Sequence, residues 1–152
     1  MRAPELKKQS GFSLIEALVS LIVISVGMIG IAALYNQGLG ASRTALYRTQ
    51  AVNLAADMAD RIRANKSATI AFDPVGADSN CDPIDNQDCT PAAMATHDKW
   101  RWERQVIAQL PNGVGRVNVD VTTPPTYTID VTWQEVGIGA ITHTIVVQVP
   151  DL

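Results

Sequence analysis

Residues 7–35 read KKQSGFSLIEALVSLIVISVGMIGIAALY, and from Phe12 to Tyr35 the only charge is Glu16. At 1.5 Å per residue this stretch makes a helix about 36 Å long, enough to cross a hydrocarbon core of about 30 Å. Ahead of it, Arg2, Lys7 and Lys8 against Glu5 form a basic leader of the kind left on the cytoplasmic side. An ordinary secretory signal has a shorter apolar region with its small-residue cleavage site after it. Here the candidate cut, at Ser10-Gly11-Phe12, precedes the apolar run, so the hydrophobic helix would stay on the mature chain. A carboxylate at the membrane centre costs roughly 2.5–3.5 kcal/mol on insertion scales, and less near an interface. Glu16 lies about one turn into the helix. Two readings stand at this point: a side chain that snorkels to the headgroups, or a buried carboxylate awaiting a positive partner from another chain.

The wider composition excludes several classes. The chain has 152 residues, 47% of them hydrophobic, and a formal net charge of -3. That length suits one domain plus an extended element. Its basic residues are scattered, so no patch for neutralising phosphates exists and direct nucleic-acid binding is not expected. Gly113-Val114-Gly115 lacks the third glycine and following helix of a nucleotide loop. No Gly-x-Ser-x-Gly and no Cys–His nucleophile arrangement is present. His97 and His143 belong to no ligand spacing and are expected at the surface. The chain therefore reads as a non-enzyme without cofactor or metal.

Past Tyr35 the pattern turns amphipathic. Leu39, Leu46, Tyr47, Ala51, Leu54, Ala55, Met58 and Ile62 recur at steps of three and four, and charged residues fill the other faces. Asp57 and Arg61 make an i,i+4 pair. Nothing breaks the helix before Asn65-Lys66-Ser67, which predicts one helix from about 13 to 66, roughly 80 Å long. Gly27 and Gly30 interrupt the apolar part; close helix packing and simple tolerance of glycine in lipid both account for them.

Gly11-Phe12-Ser13-Leu14-Ile15-Glu16, with the basic leader before it and the apolar helix after it, resembles the prepilin recognition site of type IV pilins and type II secretion pseudopilins. The resemblance implies cleavage between Gly11 and Phe12 by prepilin peptidase and N-methylation of Phe12. It also implies that Glu16 pairs with the N-terminal amine of an adjacent subunit, which favours the second reading of that carboxylate. QAVNLAADMADRIRAN, residues 50–65, resembles the corresponding region of the PilV family, the type IV pilus modification proteins, which are minor pilins. The implied partners are other minor pilins, the major pilin and a pilus-tip adhesin. The implied location is the inner membrane, single-pass with a periplasmic C-terminal domain, and then the pilus, at its tip. Pilus biogenesis, adhesion, twitching motility and DNA uptake are the implied roles. A minor pseudopilin of type II secretion is the alternative within the class. A membrane-anchored periplasmic binding or sensing module, with an uncleaved leader, is the alternative outside it.

The remaining sequence completes an α+β, pilin-like plan. Residues 1–11 are the leader, 12–35 the membrane or filament-core helix, 36–66 its amphipathic continuation and 67–152 the globular domain. Phe72 to Pro91 is polar and turn-rich, with Cys81 and Cys89 eight positions apart. In an oxidising space they are expected to form a disulfide. The acidic residues of this loop (Asp78, Asp82, Asp85 and Asp88, with Asn80) suggest a calcium loop only superficially: Pro83 stands where an EF-hand needs glycine, and Cys89 where it needs glutamate. Thr90-Pro91 reads as a helix N-cap and first turn, and Pro111-Asn112-Gly113 as its end. Trp100 and Trp102 point to different faces, one of them core. Beyond Gly113 the period becomes two: Val117, Val119 and Val121, then Tyr127, Ile129, Val131 and Trp133, then Ile141, Ile145, Val147 and Val149. Turns at TTPPT and GIG predict a three-stranded antiparallel meander over about 114–149, one face against the long helix.

Overall fold

The computed structural model describes residues 11–73, 75–81, 88–121 and 123–150. The leader up to Ser10, and Asp82, Pro83 and Asp85 of the calcium-loop comparison, lie outside the described residues. Helix α1 spans Leu14–Ala64 and α2 spans Pro91–Gln109, with a 3-10 segment at Lys66–Phe72 between them. Strands β1 (Val114–Asp120), β2 (Thr126–Glu135) and β3 (Gly139–Gln148) follow. The chain divides into two compact units, Met1–Ser42 and Arg43–Leu152.

In the first unit α1 is apolar on every side, and the side chains of its described residues are exposed. In the second unit the amphipathic pattern does what its spacing predicts. Ala51, Leu54, Ala55, Met58, Ala59 and Ile62 are buried in one core with Trp102, Val106, Val117, Tyr127, Ile129, Val131, Trp133 and Val147. The stripe starts later than the periodicity suggests. Tyr47 is half-buried against the core, whereas Leu46 is exposed and Leu39, in the first unit, is exposed too.

The sheet is an antiparallel meander in the order β1-β2-β3. Its inward residues are the expected alternating set, with one exception: Val121 lies beyond the end of β1 and is 66% exposed. Gly137 and Gly139 build the β2–β3 turn at φ 82° and 102°, a region L side chains rarely adopt. Helix α2 begins as its sequence indicates, with the Thr90 hydroxyl accepting from Ala93 N–H at 3.2 Å and Pro91 in the first turn. Trp102 is the core tryptophan: it is fully buried and its indole N–H donates to the Leu54 carbonyl at 2.8 Å, tying α2 to α1. Trp100 is half-buried, stacked on His97 with ring centroids 5.6 Å apart, and Arg104 lies over its ring.

The segment Lys66–Phe72 was not legible as an element. It contains a break at Thr69, where φ is 36°, and it ends by placing Phe72 in the core, edge-on to Tyr127 at 6.2 Å. Phe72 thus closes the core rather than opening the polar loop.

Candidate assembly and processing site

The short segment around Gly11 is organised by Ser13. Its carbonyl accepts from the N–H groups of Glu16 and Ala17 at 3.1 and 3.2 Å, and its hydroxyl accepts from Ile15 N–H at 3.3 Å. Ser13 therefore takes up two of the four orphan donors at the start of a helix, the N–H groups of Ile15 and Glu16, and α1 starts at Leu14. Gly11 and Phe12 precede that cap in non-helical conformation, and Phe12 is 79% exposed.

Glu16 falls in the first turn of α1, where a negative charge is favoured by the helix N-terminus. It shares one helix face with Ile15, Val19, Ser20, Val23 and Ile24, which border a shallow groove. Its carboxylate is exposed, and among the described residues no cation pairs with it. The hydroxyls inside the apolar run need no outside partner. Ser20 Oγ donates to the Ala17 carbonyl at 2.8 Å and Ser25 Oγ to the Leu21 carbonyl at 2.7 Å. Glu16 is thus the one charged group of the run, and unlike Ser20 and Ser25 it is not bonded to the helix itself. What it can do chemically is accept two or three hydrogen bonds from an ammonium group, with the strength of a charge-assisted pair.

The second unit holds the other expected site residues. Cys81 and Cys89 are bonded to one another, with their Cα atoms 5.9 Å apart. Asp57 accepts from Arg61 at 3.0 Å as the spacing indicates, and Arg61 also reaches Asp98 on α2 at 2.9 Å. Among the described residues no group of three or more His, Cys, Asp or Glu side chains is placed to hold a metal.

Three buried polar groups were missed. His97 is not at the surface as its isolation suggested: it is 4% exposed, with Nδ1 3.3 Å from Asp78 Oδ1 but without a hydrogen bond to it. Lys99 is 3% exposed, and its Nζ donates to the Asp73 carbonyl at 2.8 Å with Glu103 at 3.9 Å. Burial lowers its pKa from the usual 10.5, and the nearby Glu103 and Asp73 charges oppose that shift without cancelling it. Glu135 is buried at the end of β2, where Oε1 accepts from Trp133 Nε1 at 3.1 Å and from Arg48 at 3.4 Å. No single-residue signal marks these groups, because their burial comes from segments that fold over them.

An apolar N-terminal helix, a further stretch of the same helix against a three-stranded antiparallel sheet, and one added short helix define the α+β pilin-like architecture. Residues 6–32 match the prokaryotic N-terminal methylation motif, and residues 33–100 match the Tt1218-like family, described as type IV pilin Tt1218. The two matches run end to end, so over residues 6–100 the chain carries a methylation motif followed by a region similar to a type IV pilin. No curated protein and no solved structure matches it. The family is a structural one, not a family of enzymes.

Proposed function

We propose that the chain is a minor pilin of the type IV pilus, assembled with other minor pilins to prime or cap the filament. In this reading prepilin peptidase cuts between Gly11 and Phe12, Phe12 becomes the N-methylated first residue, and Glu16 pairs with the amine of an adjacent subunit. The apolar helix and the prepilin motif suit anchoring in the inner membrane followed by assembly into a pilus. The observation that carries the reading is Glu16. An exposed carboxylate stands one turn after Phe12 in an apolar run whose two inner serine hydroxyls, Ser20 and Ser25, are bonded to the helix's own carbonyls.

The minor-pilin assignment rests on the likeness of residues 50–65 to the PilV family. With it come the roles in pilus biogenesis, adhesion and twitching motility, and a place at the pilus tip. Replacing Glu16 with Ala tests the assembly role. The variant is expected to enter the membrane and be cleaved as the parent is, yet to be depleted from sheared pili at least several-fold. Recovery equal to the parent would contradict the pairing. Deleting the gene is expected to lower pilus number, and unchanged piliation would count against priming.

A further inference from the structure

β1 and β3 are the outer strands of the sheet; Lys66–Phe72 and α2 pack near β1, and beside that strand lies a cleft of about 480 Å³. One wall consists of six consecutive residues, 113–118, so both faces of the strand and the backbone between them border the cleft. The opposite wall is Lys99, Glu103 and Ile107 of α2. Four-residue spacing places these three on one face of the helix. Asp73 and Val75 complete the lining. Lys99 is held against the Asp73 carbonyl, which makes the helix wall a preformed surface.

An edge strand beside a helix is what an extended peptide needs. The strand offers backbone groups that continue the ladder, and the helix offers contacts for alternate side chains of the incoming segment. At about 3.3 Å per residue the wall of β1 is roughly 20 Å long, the span of a strand of five or six residues. Ile107 is 65% and Val75 80% exposed, which leaves apolar surface for the residues that point into the cleft.

Charge fixes the other face of the occupant. Arg116 is exposed and in register with Asp130, whose carboxylate already accepts from Thr144 Oγ1 at 2.6 Å. Among the described residues Arg116 forms no ion pair. A strand laid along β1 brings a side chain to the free flank of Arg116, and an acidic one complements it.

We propose that this cleft takes an extended segment of another pilin subunit, which adds to the sheet alongside β1. Its residues alternate, apolar towards Ile107 and Val75 and acidic beside Arg116. The identity of the partner rests on the pilin reading; the binding mode rests on the cleft alone.

The probe is a blocked six-residue peptide of alternating glutamate and valine, titrated into the isotope-labelled full chain in detergent micelles. Saturable amide shifts are expected at residues 113–118 and on α2 from Lys99 to Ile107. Methylating the peptide backbone nitrogens is expected to weaken binding at least tenfold. Arg116→Glu, on the solvent face of the strand, is expected to reverse the preference between this peptide and its lysine–valine counterpart. Absence of saturable shifts, equal binding of the N-methylated peptide, or an unchanged preference in Arg116→Glu would each overturn the binding mode. For the partner, a benzophenone amino acid at Asn118 in piliated cells is expected to cross-link to an extended segment of a chain bearing a methylation motif. Cross-linking to any other protein, or none, would overturn the pilin occupant. The state of Phe12, read by mass on the same sample, reports separately on the pilin reading.

Discussion

Lys99 shows how much a single residue can depend on its surroundings. Its ammonium is buried, and burial disfavours the charged form, so the folded chain holds its proton less tightly than the unfolded chain does. Below the folded pKa both states are protonated and the full desolvation penalty is present. As pH rises through that value towards 10.5 the folded state sheds the proton first, and stability contributed at this site increases. Denaturant midpoints of the parent, compared with Lys99→Met, are therefore expected to show a gain on the alkaline side that the variant lacks. Parallel pH profiles would contradict the buried-ammonium account. The same variant removes the donor to the Asp73 carbonyl, an exposed residue that water reaches, a loss of about 1 kcal/mol or less. Glu16 was legible as a residue because it interrupts an otherwise apolar run. Lys99 and His97 were not, because each is an ordinary polar residue on a helix until Lys66–Phe72 and residues 75–81 fold against it.

At the scale of elements, legibility follows the length of the repeating pattern. Helix α1, the Thr90-Pro91 start of α2 and the three strands each repeat a 3.6- or 2-residue period, or carry a cap with a mechanism, and each forms at the expected place. Lys66–Phe72 has seven residues and a break at Thr69, too short and irregular for any period to show. Two substitutions test how the elements are joined. Trp102 lies against Gly115 so closely that a Cβ there would fall 2.4 Å from the ring. Gly115→Ala is therefore expected to cost about 1–3 kcal/mol, as overpacking does, read from the denaturant midpoint. An unchanged midpoint would mean that the α2–β1 contact is loose. Thr90→Ala removes the cap and is expected to cost about 1 kcal/mol by the same measurement, with the strands unaffected in their hydrogen-exchange order.

For the molecule as a whole, the two units call for different tests. The Arg43–Leu152 unit carries its own core and the Cys81–Cys89 bond. Closing so short a loop contributes roughly 2–3 kcal/mol in the chain-entropy account. Replacing both cysteines with Ser is expected to lower the thermal midpoint of that unit while leaving the helicity of Leu14–Ser42 in detergent unchanged. An unaltered midpoint would show that the bond closes a loop already ordered without it. The Met1–Ser42 unit has no buried core among its described residues, and its exposed apolar helix makes sense only in lipid or in a filament. Its fate is decided at Gly11 and Phe12. Intact-mass and N-terminal peptide mass spectrometry of the chain recovered from its own membranes and pili tests this most directly. The account predicts a mature chain beginning with N-methylated Phe12; a chain that retains Met1 and the basic leader would contradict it.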